Sequence, residues 1–311
     1  GKEIKDAVLT VTGKTGDGAA ITPITFTTDG ETVHNIVLAK KASDIADDKA
    51  EHLLPGDYTL TETTAPEGYI KAESINFTIT SDLKVMVNGQ DANGQIIMKD
   101  DYAKHTVEIS KQDIAGKEIA GATLTVTGTD SSGNDVSLTF ETDGKEPHKF
   151  SLRPGTYTLT EITAPDGYEK AESIKFTVDV TGKVTVNDEE VKQVVMTDQY
   201  AHHDVTIKKV DENGKIVKGA ELTITGKEVS GAEVKPVSFT TGDSDTTISV
   251  KPGSYKITET KVPEGYEKAE EVSFEIGTNG ALTVNGQVAT AITIVDKTKT
   301  YPIVFSKEDV N

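Results

Sequence analysis

The chain has 311 residues, no Cys, no Trp and a formal net charge of -19 from 32 basic and 51 acidic side chains. Without thiols there is no disulfide framework, no Cys-ligated zinc and no thiol catalysis, and the acidity argues against nucleic acid or an anionic membrane as the main partner. Apolar residues at 35%, with 27 Gly besides, are enough for a buried core, while no apolar run approaches the roughly 18 residues needed for membrane insertion.

At roughly 150 residues per domain, two or three domains are expected. The opening, GKEIKDAVLT, lacks the apolar core of a secretory signal, so any targeting segment is expected to have been removed or to lie outside the chain. The first unit begins with GKEIKDAVLTVTG (1–13). A longer connection, LAKKASDIADDKAEHLL (38–54), follows; Leu38, Ala42, Ile45 and Leu53 fall near helical spacing, so it is read as a surface insertion with room for a short amphipathic helix. Then come LPGDYTLTETTAPEGY (54–69), with a Pro-Gly turn, an alternating strand and a Pro-x-Gly-Tyr turn, and SINFTITSDLKVMVN, a strand–turn–strand.

The same three pieces return in the same order. The second unit has GKEIAGATLTVTG (116–128), RPGTYTLTEITAPDGY (153–168) and SIKFTVDVTGKVTVN; the third has GKIVKGAELTITG (214–226), KPGSYKITETKVPEGY (251–266) and EVSFEIGTNGALTVN. Runs such as Thr123-Leu124-Thr125-Val126-Thr127 alternate with period two, the mark of half-buried strands. Repeats of about 98 residues of this kind predict an all-β chain of three tandem antiparallel immunoglobulin-like β-sandwiches in an elongated rod. The expected boundaries are 1–103, 104–201, 202–299 and a surplus strand at 300–311, with short polar joins that leave little room to hinge.

Strand parity places charged residues on the apolar face, since residues i, i+2 and i+4 share a side. Val107, Ile109 and Lys111 share one, as do Val205, Ile207 and Lys209, with Thr106, Glu108 and Ser110 expected outward. Glu62, Glu161 and Glu259 follow Tyr and Leu or Ile on the inner face of the Pro-Gly-Tyr strand, and Asp100, Asp198 and Asp296 end the last strand of each unit. Lys111 to Lys209, Asp100 to Asp198 and Asp198 to Asp296 are each 98 residues apart. A buried ion costs several kcal/mol unless paired, and one Lys with two carboxylates leaves a charge over. One reading is a salt bridge at a sandwich edge. The other, favoured by three sets in register, is that a neutral Lys amine attacks the Asp carboxyl, water leaves and an amide remains, with the Glu shuttling protons.

The pieces ISKQD…GKEIAGATLTVTG, YTLTEITAPDGYEKA and VVMTDQY resemble the collagen-adhesin B-type (CnaB, SpaA-like) domains of Gram-positive surface proteins and pilins, over essentially the full chain. The resemblance implies a spontaneous isopeptide bond from a Lys on the first strand to an Asn or Asp on the last, promoted by the Glu of YxLxE. By position these are Lys111, Glu161 and Asp198, then Lys209, Glu259 and Asp296. It implies a stalk module with single-turnover autocatalysis, not an enzyme, with no cofactor and no metal. A loop of about 88 residues closed by such a bond is worth about 4–5 kcal/mol on a disulfide-like estimate.

The first unit has Glu62 and Asp100 but no Lys strand of its own. Past Asp296 the chain continues KTKTYPIVFSKEDVN, where Ile303, Phe305 and Lys307 share a face and Lys307 follows Asp296 by 11 residues, the spacing of Asp100 to Lys111. An 11-residue tail reaches at most about 36–40 Å, whereas in a straight rod Asp100 and Asp296 stand about 70 Å apart. Donation in trans is therefore expected: Lys307's strand completes the first unit of the next copy by β-augmentation and bonds to Asp100 with Glu62 assisting, giving a head-to-tail filament. The alternative is a segment of a longer tandem adhesin stalk, in which Asn311–Gly1 stands for an ordinary peptide bond and the 38–54 insertion binds a host or matrix ligand. Either reading places the protein outside the cell, at the bacterial surface or cell wall. His202-His203 reads as a solvated linker and Asp130–Asp135 as a hairpin turn.

Overall fold

The computed structural model describes residues 2–45 and 50–309. The chain is almost wholly β, and the alternation of Thr with Val, Leu and Ile explains why: one side of each strand carries branched apolar groups and the other hydroxyls. In the second domain a six-stranded sheet runs in the order Asp135–Asp143, Ala120–Asp130, Gly155–Thr163, Ile174–Val178, Val184–Val186 and Glu189–Val191. A four-stranded sheet, His148–Leu152, His105–Asp113, Val194–Tyr200 and Tyr168–Glu169, belongs to the same domain. Its core joins residues of both sheets: Val107, Ile109, Leu124, Val126, Leu159, Val194 and Met196 are all buried.

The third domain repeats this plan, with a six-stranded sheet and a sheet of Thr246–Val250, His203–Asp211 and Ile292–Asp296. In both domains the first and last strands lie side by side and parallel. Lys111 stands opposite Met196, and Lys209 opposite Ile294. A parallel neighbour in the sheet is how two strands distant in sequence bring a Lys and an Asp to one place.

The first domain has the six-stranded sheet, in the order Ile24–Asp29, Lys5–Thr15, Gly56–Thr64, Ile75–Ile79, Val85–Val87 and Gln90–Asp91, but among the described residues not the second one. The stretch expected as its last strand, through Ile96, Met98 and Asp100, is extended chain; only Asp101–Tyr102 pairs, with Tyr69–Ile70. Its counterparts, residues 194–198 and 292–296, are strands because a parallel neighbour takes up their backbone groups. Without that neighbour Ile96 and Met98 are only partly covered, whereas Val194 and Met196 are fully buried.

Two other expectations are corrected. Among the described residues of the 38–54 insertion there is no amphipathic helix. Val37–Leu38 pairs in parallel with His52–Leu53, and between them lies one 3-10 turn, Ala42–Asp44; residues 46–49 fall outside the described ones. A segment this short, with Lys, Ser and Asp through its middle, cannot repay helix nucleation, while Leu53 gains burial as a strand end. Ser110 is buried, not outward, because Glu118 folds over the strand: the Ser110 hydroxyl donates to Glu118 Oε1 and the Lys111 N–H to Oε2 at 3.2 Å.

Candidate cross-linking site

Each site residue in the second domain is set by a regular strand. Lys111 sits two residues beyond Ile109 on the inner face, Glu161 two beyond Leu159, and Asp198 two beyond Met196, and all three are at most 1% exposed. Lys111 Nζ donates to Asp198 Oδ1 in a very short contact and stands 2.9 Å from Glu161 Oε1. Glu161 is held from behind, since its Oε2 accepts the Ala171 N–H at 2.7 Å. Asp198 Oδ2 is buried without a partner. Burial raises the Asp198 carboxyl to about 6, with Lys111 pulling it back down.

The third domain reproduces this group by group. Lys209 Nζ contacts Asp296 Oδ1 and lies 3.1 Å from Glu259 Oε1, while Glu259 Oε2 accepts the Ala269 N–H at 2.8 Å. Asp296 is again raised, chiefly by burial, and its Oδ2 again has no partner. Both sites therefore place an amine nitrogen against a carboxyl whose proton affinity is increased, with a second carboxyl bridging from the other side.

The first domain holds half of this arrangement. Glu62 is fully buried, its Oε2 accepts the Ala72 N–H at 2.6 Å, and its Oε1 is unpartnered. Asp100 is raised to about 6 by burial and by the neighbouring Glu62 carboxylate. Among the described residues no lysine pairs with either. Residues 299–309 form no regular structure and expose their apolar side chains, Ile303 at 77% and Phe305 at 89%.

The family model of the SpaA prealbumin-like fold domain matches residues 1–93, 105–192 and 203–289. The chain belongs to this family. It consists of three tandem SpaA-type domains. No curated protein matches the chain in sequence. Among solved structures it is similar to the Bacillus anthracis TIE protein, with 23% identity and a TM-score of 0.38 over 96% of this chain and 48% of that one. It is also similar to a streptococcal ancillary pilin, at 16% identity and a TM-score of 0.33 over 96% and 94% of the two chains. A third is the shaft pilin SpaA from Lactobacillus rhamnosus GG, at 16% identity and 0.28 over 64% and 100%. The chain spans about half the length of the TIE structure.

Around the second SpaA-type site lies a ring of contacts that strand parity does not reveal. Asp113, also buried, accepts the Ala115 and Lys117 N–H groups and the Tyr200 hydroxyl, the last at 2.9 Å. Tyr200 stacks on Tyr168 of the Pro-x-Gly-Tyr turn, and Tyr102 packs tilted against Tyr69 in the first SpaA-type domain. The usable sequence signal was the repeated Asp-x-Tyr at 100–102 and 198–200, with the Tyr on the same strand face as the Asp. Of the weaker motifs, Asp130 holds a hairpin turn by accepting the Ser132 and Asn134 N–H groups, and His202 pairs with Glu169 at 3.1 Å.

Proposed function

We propose that the chain is a structural subunit of an extracellular cell-surface fibre or pilus-like stalk, locked within domains by Lys111–Asp198 and Lys209–Asp296 amide bonds and joined head-to-tail by Lys307–Asp100. The observation that carries this is the buried Lys–Glu–Asp set, built alike in two domains and present as its Glu–Asp half in the first.

The chemistry balances without any added reactant. With one proton taken up, the site holds a neutral Lys111 amine and two carboxylic acids, so nothing buried is charged; the raised Asp198 favours that state. The amine nitrogen adds to the Asp198 carboxyl carbon. Glu161 accepts a proton from nitrogen and gives one to the departing hydroxyl, so that a C–N bond forms, a C–O bond breaks and water leaves. Glu161 ends protonated, hydrogen-bonded to the new amide. Tension entering on His105–Asp113 then leaves on Val194–Tyr200 through a covalent bond, past the rest of the sandwich.

For the join between copies, residues 301–309 carry what the open first domain lacks. Ile303, Phe305 and Lys307 correspond to Val107, Ile109 and Lys111, and Ser306 and Asp309 to Ser110 and Asp113. Their partners in the second domain, Glu118 and Tyr200, have counterparts in the first as Glu3 and Tyr102, whereas the third domain has Ile216 and Thr298 in those places. The strand is thus matched to the first domain in more than its lysine, and seating it by β-augmentation covers Ile96 and Met98.

Two measurements test this. Intact mass should fall short of the sequence mass by one water for each internal bond, and Glu161→Ala should restore one of them; an unreduced mass in the wild type refutes the cross-links. After boiling in denaturant, electrophoresis should show a ladder of multimers that Lys307→Ala abolishes. A single band from concentrated protein refutes covalent donation.

A further inference from the structure

The two joints inside the chain share a construction. At the first, Gly68 of the Pro66–Tyr69 turn comes so close to the second domain that a Cβ there would lie 1.9 Å from the Val180 carbonyl oxygen; at the second, Gly167 would meet the Thr278 oxygen at 2.2 Å. Only a glycine fits between turn and hairpin at that approach. Gly265, the counterpart in the third domain, has nothing within 4 Å. The hairpin counterpart in the first domain is Ser81, between Thr80 and Lys84, whose turn closes with the same backbone bonds.

The rim of the first joint is polar. Asp101 takes Arg153 Nη2 at 2.5 Å and the Ser132 hydroxyl at 3.3 Å across the first joint. In the repeat alignment Lys297 stands in the place of Asp101, and Asp17 in the place of Ser132. Both are exposed. Set against a second copy's first domain, Lys297 meets an acid; set against a second domain, it meets Arg153.

A third feature lies in the hairpins. His105 packs over Gly182 and its Nε2 contacts the Val180 carbonyl at 3.0 Å, while His203 packs over Gly280. The first domain has Leu83 where the others have glycine, at φ +65°, a left-handed conformation that leucine rarely adopts. In the place of the two histidines the tail carries Tyr301, which is 74% exposed.

We infer that the third domain's Pro263–Tyr266 turn and the first domain's Thr80–Lys84 hairpin of a second copy form a third joint, with Gly265 against Ser81, Lys297 against Asp17 and Tyr301 against Leu83. The inference rests on the strand donation proposed above. The 11 residues from Asp296 to Lys307 match those from Asp100 to Lys111, so the donated strand is tethered as the inner ones are. The joint sets the angle between copies, and its reversed rim charge directs the third domain to a first domain and away from a second.

The test compares initial rates of covalent dimer formation by the full chain at low salt. Lys297→Glu and Asp17→Lys should each slow the reaction about fivefold, and the double exchange should recover it. Gly265→Ala should slow it more than tenfold, whereas Gly231→Ala, with the same open surroundings and a φ of +89° against +88°, should strain the monomer equally and leave the rate unchanged. Dimer formation at the wild-type rate in both Lys297→Glu and Gly265→Ala overturns the joint and leaves strand donation standing. No dimer from the wild type overturns the donation, and the joint with it.

Discussion

The first and second domains share a six-stranded sheet and a buried glutamate, yet one has a closed core and the other an open side. The difference is a single strand. Where His105–Asp113 is present, residues 194–200 become a strand, Met196 is fully covered and Asp198 meets an amine. Where its equivalent is lacking, residues 95–100 stay irregular, Met98 is partly covered and Asp100 faces another carboxyl, with no lysine beside it among the described residues. The last strand of this fold is therefore formed by its parallel neighbour and not by its own sequence, since IIMKDDY and VVMTDQY alternate equally well.

The largest expected effect comes from making the second domain resemble the first. Lys111→Ala would remove the proposed cross-link and leave Glu161 and Asp198 buried without their amine. The loss of loop closure alone is about 4–5 kcal/mol, which at about 4–8 °C per kcal/mol lowers that domain's calorimetric midpoint by roughly 16–40 °C. A shift within a few degrees of the wild type would mean that the bond does not support the domain.

The converse experiment closes the first domain. A peptide of residues 300–311 added to the Lys307→Ala chain should attach covalently, increasing the mass by the peptide less one water, and should raise the first domain's midpoint toward the second's. Asp100→Ala should abolish attachment. Attachment that persists in Asp100→Ala would place the acceptor elsewhere.

Legibility in the sequence divides along the same line. Lys111, Glu161 and Asp198 could be placed because each lies an even number of residues from well-buried neighbours on a regular strand, where parity is rigid. Ser110 could not, because what buries it is Glu118, arriving from a turn after the strand. The joints were equally invisible: Gly68 against Val180 is a contact between units, and a repeat analysed unit by unit shows the glycine without its reason. The helix allowed for in the 38–54 insertion was not decidable, because four apolar residues at helical intervals also suit two strand ends and a turn.

Acidity separates open from closed more gently. Asp100 binds its proton more tightly in the folded first domain, at about 6, than at its ordinary value of 3.8. The stability this proton lends is fully present below the ordinary value and is lost as pH rises through about 6. The open first domain should therefore melt higher at pH 5 than at pH 7.5 by scanning calorimetry. Once Asp100 has become an amide there is no carboxyl left to titrate, and that part of the dependence should vanish in the closed form. Equal pH dependence in both forms would assign it to other groups.

The smallest effect concerns the ring of contacts around the proposed bond. Tyr200 donates to buried Asp113, so Tyr200→Phe should cost about 1–3 kcal/mol in the second domain, the range for leaving a buried hydrogen-bonding group without its partner. Tyr102 stands in the same place in the first domain, where the proposed donation would bring in the matching acid, Asp309. Tyr102→Phe should then leave the first domain's melting unchanged in the Lys307→Ala chain and lower it by a similar amount after the peptide is attached. The tyrosine would thus act in closure and not in the open fold. An equal loss in both forms would make it an ordinary packing residue, held against Tyr69 and indifferent to the strand.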